Sequence, residues 1–486
     1  MIEIKRISCL CMAMLLAFTV GVLAQVEFSE QLFLELAQNV NEIPYIEIPD
    51  YHKAVLDNGI TVYLVEDHQL PIVELEGYLM GGRSQENPQL PGVIDVMTHM
   101  MITGTANLDE YEFVRFKALH GINLNMVTHF DHLQITADAL STDKEQLITL
   151  VADVLQNPDF SADYFGRIIQ ELYQYLAFSL YNAEQLSNMV FYSVLYAGHP
   201  YGTSYDILTM LQSFPSLTPE HLQDCYYRTV DPQHLVLIIV GDFSADEMLA
   251  LVEDKFGSWA SQGVELTRTP VIVDQSNYDR IILVNKPDAT QGIMKMGINM
   301  PDHSFSERVA FMMANRVLGS GEFSCRLMNV LRSEKGYVYG VSSGVQYFKL
   351  GSFYAINTEV AEDKVWETRK IIKEQLELIK NGTLPISDEE LFSNVNYFNA
   401  FFPQSYRHKI DAMSNIVYSV EALNWRENYL NELVAAYNQL TAEEAQAVFS
   451  KYVFPERFIT VIVGNKDRIL PAFIENGVEV EVIDLF

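Results

Sequence analysis

Cysteine is nearly absent from this chain of 486 residues: there are four, and Cys9 and Cys11 lie in an N-terminal apolar stretch, leaving Cys225 and Cys325 in the rest of the chain, one in each half. Two thiols cannot frame a disulfide-knotted fold, and no spacing here makes a metal knuckle or a redox pair, so both are expected to be buried free thiols. Proline (17) and glycine (25) are also scarce, and 49% of residues are hydrophobic, which excludes collagenous and disordered chains. Basic residues are few, 32 Lys and Arg against 64 acids, for a formal net charge of −32. That balance repels phosphate backbones and anionic lipid, so neither nucleic acid nor a membrane surface is expected as a partner. No acidic run is long, and the charge is read as solvated surface.

The exception to the shortage of long apolar runs is at the start. Lys5 and Arg6 precede a stretch from Ile7 to Ala24 that carries no charge and ends Val22-Leu23-Ala24 before Gln25. This is the layout of a secretory signal, expected over residues 1–24, and it implies export, to the periplasm, with no membrane segment once it is cut. Left uncut, it could just span a bilayer.

Beyond Ala24 the chain alternates between the periods of strand and helix. An amphipathic stretch from Ser29 to Val40 predicts an N-terminal helical extension over residues 25–45. Ala54 to Val65 reads as strand, Asn58-Gly59 turn, strand, and Ile72 to Met80 as another strand. Helical spacing covers Gly92–Thr103 and Asp109–His120, which Gly121 stops. Strands are expected at Leu124–Val127 and Leu133–Ala137, then a helical zone from Lys144 to Tyr196 broken at Pro158. His234 to Asp242 is a buried strand, and Ala245 to Phe256 a helix. A polar stretch with Gly263 and Pro270 predicts a linker over residues 260–278 between domains at 46–259 and 279–486. The second unit reopens with a strand at Arg280–Val284 and a helix at Ser306–Leu318. It closes on Phe458–Asn465, a Val-Gly-Asn ending that repeats the Val-Gly-Asp ending of the first about 220 residues earlier. The expectation is an α+β protein of two homologous α/β domains, each a mixed sheet with helices packed on it.

The segment Pro91-Gly92-Val93-Ile94-Asp95-Val96-Met97-Thr98-His99-Met100-Met101-Ile102-Thr103-Gly104-Thr105 resembles the zinc-motif region of the pitrilysin/insulinase family, inverted zincins related to the mitochondrial processing peptidase. Active members carry His-x-x-Glu-His in this frame. Here Asp95 stands at the first His, Thr98 at the general-base Glu, and only His99 matches. The family's third ligand, a Glu 76 residues past the second His and ahead of a loop like Gly198-His199-Pro200-Tyr201-Gly202, falls on Tyr175. Glu171 lies one helical turn earlier, about 6 Å away along the axis. A catalytic zinc needs three protein ligands and an open position, whereas Asp95 and His99 at i and i+4 offer two. A threonine hydroxyl cannot act as the base toward bound water. No metal is expected on this chain. Other histidines carry less: His129 and His132, three apart on an expected strand, should face opposite ways. His68 and His120 fall at turns, and His199 should shape its own loop.

The resemblance covers nearly the whole chain after the signal. In the second half Leu318–Val341 looks like the family's glycine-rich turn, helix and Arg/Tyr segment, matched at Leu331, Arg332, Lys335, Gly336 and Tyr339. The family's Arg/Tyr pair reaches across a closed clam shell toward the zinc site. A phenol there can donate to the oxyanion of a tetrahedral intermediate, and a guanidinium can hold substrate carbonyls. Tyr337, expected on the same strand face, leaves the choice of tyrosine open. Gly121–Thr128 resembles the family's edge strand that docks extended substrate, with Asn123, Asn125 and Thr128 at its marked positions. The resemblance therefore implies a subunit that is not an enzyme by itself. It would lend Arg332 and Tyr339 to a homologous exported partner whose intact His-x-x-Glu-His holds the zinc, with unfolded peptides as substrates. The alternatives are a non-enzymatic peptide-binding or assembly protein and, last, an active enzyme with an unorthodox site.

Overall fold

The computed structural model describes residues 48–300, 307–321 and 324–485. The expected signal, the helical extension over 25–45 and the Ser306 start of the second-half helix lie outside the described residues. Among the described residues no helix is long and apolar enough to cross a membrane.

Two six-stranded sheets organise the chain. The first contains β1 (His52–Val55), β2 (Thr61–Glu66), β3 (Ile72–Met80), β4 (Asn123–Thr128), β5 (His132–Leu140) and β6 (Leu235–Gly241), in the order β1-β2-β6-β3-β5-β4. The second contains β7 (Ile281–Asn285), β8 (Gly292–Met300), β9 (Val338–Gln346), β10 (Ser352–Val360), β11 (Ile459–Gly464) and β12 (Glu481–Asp484), in the order β12-β7-β11-β8-β10-β9. Five strands correspond one to one. β2 and β6 pair parallel as do β7 and β11, and the rest of each sheet continues antiparallel to an edge at β4 or β9. Only the outermost strand differs: β1 comes through the Asn58-Gly59 turn and runs antiparallel to β2, while β12 returns from the C-terminal side and runs parallel to β7. This is the duplicated α+β plan that the sequence predicts.

The helices follow their local signals. The first-half helices begin with α1 (Val93–Met101) and α2 (Glu110–His120), the latter opened by a capping box between Asp109 and Glu112. The long helical zone resolves into α3 (Lys144–Gln156), α4 (Ala162–Ser179) and α5 (Ala183–Leu195). The break before α5 is not in the hydrophobic pattern. Asn182 makes it by accepting the Glu184 and Gln185 N–H groups. Helix α6 (Ala245–Phe256) matches its predicted span, and α7 (Arg308–Asn315) ends earlier than expected because the chain widens into a π-turn at Arg316–Ser320.

Alternation along β6 explains how the halves join. Leu235, Leu237 and Ile239 face the first half's own core, while Val236, Ile238 and Val240 lie under Met413 and Val417 of α8 (Lys409–Val417), which belongs to the second half. The exchange is reciprocal. Leu186, Met189, Val190 and Phe191 of α5 cover Ile282, Val284, Val461 and Val463 on the second sheet. A Cβ on Gly297 of β8 would come within 2.6 Å of the Phe191 ring, so the close approach of α5 requires glycine there. Each half thus buries a sheet face that its own segment leaves apolar, and burial on both faces accounts for the unbroken hydrophobic run of β6.

Candidate functional site

Helix α1 carries Asp95, Thr98 and His99, the residues at the resemblance's zinc-motif positions. Asp95 is not available as a ligand. Its carboxylate accepts from Arg83 twice, Nε to Oδ2 at 3.0 Å and Nη2 to Oδ1 at 2.6 Å, with about a fifth of each side chain exposed. Burial works against the Arg83 charge and Asp95 outweighs it, leaving the guanidinium above its ordinary range. Arg83 gets there because the turn at Gly82 closes onto the β4–β5 loop: the Arg83 and Ser84 N–H groups donate to His129 O and Phe130 O at 2.9 and 2.8 Å. Gly82 has φ 59, and a Cβ there would meet His129 O at 2.4 Å. Beside the pair, Glu86 accepts from the Ile94 N–H at the start of α1 (3.1 Å). Burial, with the Asp95 charge in second place, pushes its carboxyl up to about 8.

Thr98, at the position of the general base, is 3% exposed and faces inward. Its hydroxyl donates to Ile94 O at 2.7 Å and accepts from Thr128 at 3.1 Å. His99 faces outward, past the Arg167 and Glu171 charges of α4; partial burial lowers its pKa, Glu171 pulls the other way and Arg167 adds to the lowering. Glu171 is itself taken, accepting from Arg167 at 2.9 Å, and Arg167 also binds Glu110. Tyr175 is 69% exposed and, with Arg83, Tyr205 and Met210, lines a cavity of about 240 Å³ beside the frame. Among the described residues no three His, Cys, Asp or Glu side chains gather as a metal set. The donor chemistry does not fit the zinc that the resemblance implies in active members. Two carboxylates already hold guanidinium partners, one threonine is buried and hydrogen-bonded, and a single imidazole remains.

Strand β4 is the edge of its sheet, as expected, with Asn125 and Val127 exposed. Asn123 donates to Asp138 Oδ2 across the ladder at 2.9 Å. Thr128 does not belong with the outward residues: its register turns it inward, onto Thr98. The His129 and His132 rings do not point apart either. A hairpin turn separates them, with His129 N–H donating to His132 O at 2.9 Å, so the rings stack with centroids 4.5 Å apart. His132 is buried, and burial pushes it down to about 3. His199 shapes its loop as expected: Nδ1 accepts from Tyr201 N–H (3.1 Å), and Nε2 donates to Thr269 O (2.8 Å). His68 sits in the loop after β2 against Asp242, while His120 is the last residue of α2, before the turn at Gly121, and binds Asp143. Cys225 and Cys325 are buried free thiols.

In the second half Arg332 lies in a π-helical turn, Asn329–Glu334, that feeds edge strand β9. Strand β9 begins at Val338, so Tyr337 and Tyr339 do not share a strand face. Tyr337 packs on the second core, whereas Tyr339 is 77% exposed with the Arg332 guanidinium 4.9 Å from its ring centroid. Arg83 and Glu86 are the residues that sequence reasoning missed. The Gly81-Gly82 pair ahead of Arg83 was the available signal, since paired glycines mark a close backbone approach.

Two family profiles match the chain, "Insulinase (Peptidase family M16)" over residues 61–204 and "Peptidase M16 inactive domain" over residues 216–394. A protein of Mycobacterium leprae described as an uncharacterized zinc protease is 24% identical over 327 residues, 67% of this chain and 72% of that one. A protein of Helicobacter pylori described as a non-peptidase homolog is 19% identical over 424 residues, 86% of this chain and 94% of that one. The crystal structure of a peptidase M16 inactive domain from Pseudomonas fluorescens superposes with a TM-score of 0.75 at 22% identity, covering 86% of this chain and 98% of that one.

Proposed function

The chain belongs to the M16 (insulinase) peptidase family, and from that premise we propose that it is a non-catalytic member working beside a zinc-bearing partner. The observation that carries this reading is the Arg83–Asp95 ion pair, which occupies the first ligand position with a cation already bound to it. Thr98 reinforces it, because a buried hydroxyl already donating to Ile94 O has neither the basicity nor the position to deprotonate water. The partner would be a homologous exported chain with an intact His-x-x-Glu-His, and zinc would reside there. Arg332 and Tyr339 would face that site, the phenol donating to the developing oxyanion and the guanidinium orienting substrate carbonyls. Edge strand β4 would add an unfolded peptide as a further strand. Because α5 and α8 fasten the two halves of this chain together, a clam shell would close between two chains. The Met1–Ala24 segment supports export to the periplasm.

A second reading, a peptide-binding or assembly protein without enzymatic work, is favoured by the likeness to the Helicobacter pylori non-peptidase homolog. Co-purification from the native host separates the two, followed by elemental zinc analysis and cleavage of an unstructured peptide. The lone chain should hold less than stoichiometric zinc and cleave nothing. The pair should cleave, and Tyr339→Phe should lower its rate by about 10²-fold. Stoichiometric zinc with hydrolysis by the lone chain would overturn the proposal.

A further inference from the structure

A cavity of about 660 Å³ lies where the two halves and the linker meet, away from the zinc frame. Its walls are the ends of β2, β3 and β6, linker residues from Gly263 to Arg268, Lys349 just past β9, and Glu421 and Asn424 beyond α8. Although acids outnumber bases two to one in this chain, some cations among the described residues stand outside any ion pair. Two such cations line this cavity. Among the described residues neither the Lys349 ammonium nor the Arg268 guanidinium forms an ion pair; Lys349 meets Asp131 through its backbone N–H (2.9 Å). Lys349 is partly buried; burial, followed by the Arg268 charge, lowers its pKa, and the Asp131 carboxylate behind the wall pulls the other way without outweighing them.

The acids in the same wall do not relieve this. Glu421 is already bound by Lys53 Nζ at 2.9 Å and by the Tyr63 hydroxyl, and Glu265 is exposed on the linker. A further cation stands on Trp425, the residue after the lining Asn424. Arg308 stacks on Trp425 with its guanidinium 3.5 Å from the ring centroid, and among the described residues Tyr347, Tyr437 and Tyr429 add to its electrostatic surroundings. Tyr347, which also faces Arg308, has a buried hydroxyl without a hydrogen-bond partner among the described residues. Asn424 lines the cavity in a left-handed conformation, φ 57.

We propose that this cavity is a binding site for a small anion, a phosphate- or carboxylate-bearing molecule held by Lys349 and Arg268. An anion between the two groups replaces their mutual repulsion with two charge-assisted hydrogen bonds. The chemistry is independent of peptide cleavage and of any partner chain.

The test uses the whole mature chain, with inorganic phosphate and succinate as separate probes and sodium chloride of equal ionic strength as the control. A ligand that binds only the folded state raises the unfolding midpoint. Either probe should raise it above the chloride control; phosphate alone would mark phosphate esters as the ligand class, and succinate alone carboxylates. By calorimetry, Lys349→Gln and Arg268→Gln should each weaken binding about tenfold. Arg268 is exposed, so its variant tests the site without threatening the fold. No rise over chloride with either probe, or undiminished binding in Arg268→Gln and Lys349→Gln, would overturn the proposal.

Discussion

The Arg83 guanidinium holds the Asp95 carboxylate through two hydrogen bonds, at 3.0 and 2.6 Å, at the position that the resemblance to the zinc motif assigns to a first metal-ligating histidine. A fixed organic cation therefore stands against the carboxylate that a metal ion would have to claim.

Removing one member of this pair should expose the cost of the other. Arg83→Ala leaves a partly buried carboxylate beside Glu86, and a loss of roughly 2–4 kcal/mol is expected, below the full range for buried pairs because both side chains keep some solvent. The double variant Arg83→Met/Asp95→Leu should recover most of that loss. Urea unfolding of the three proteins checks this, and a double variant as unstable as Arg83→Ala would contradict it.

The pH dependence of stability should carry the mark of Glu86. Its folded pKa is raised to about 8, above the unfolded value, so between about 4.5 and 8 the folded state binds more protons than the unfolded one. Its contribution is fully present below the unfolded pKa and is lost as pH rises through 8, with a slope of at most about 1.4 kcal/mol per pH unit. Glu86→Gln should flatten the fall on the alkaline side. Unfolding midpoints of the variant and parent from pH 5 to about pH 9 should converge at the acidic end and separate at the alkaline one.

His132 should act with the opposite sign. Its folded pKa is depressed to about 3, so between about 3 and 6.5 the unfolded state takes up the extra proton and stability climbs with pH. His132→Gln, measured across the same window, should lose that climb; an unchanged acid limb would show that the buried ring is protonated in the fold.

Phe191 joins the halves and should reveal their coupling. It is fully buried, on a first-half helix laid over the second sheet, and Phe191→Ala should cost roughly 3–5 kcal/mol. Because α5 crosses from one half onto the sheet of the other, the variant should also separate the unfolding of the halves, seen as non-coincident transitions by fluorescence and far-UV dichroism. A single transition at the parent midpoint would rule out the bracing role.

Tyr339 should be nearly silent in stability. With 77% of its surface exposed and the Arg332 guanidinium 4.9 Å from its ring centroid, Tyr339→Ala should move the unfolding free energy by less than about 1 kcal/mol. Calorimetry of the lone chain checks this, so that any effect on a partner's turnover can be read as an effect at the site.

Much of the architecture was legible in the sequence because its signals are local. The Asn58-Gly59 turn, the alternation of β3, the Asp109 capping box and the paired Val-Gly endings each act through neighbours a few residues apart. The errors have a common origin in turns and register. A one-residue difference in where β9 begins separates Tyr337 from Tyr339, and a hairpin placed between His129 and His132 brings together rings that strand alternation would have set apart.

The order of strands and helices, the duplicated plan and the presence of Asp95 and Thr98 in a segment that resembles the zinc motif are properties of the amino-acid string alone, since they depend on residue identity and short-range period. Which groups became partners was not contained in that string. Arg83 reaches Asp95 because Gly82 lets a turn settle on a distant hairpin loop, and the second apolar face of each sheet is covered by a helix from the opposite half. Those outcomes arise from burial and charge neutralisation between segments far apart in the chain, and only the folded molecule brings such segments within bonding distance.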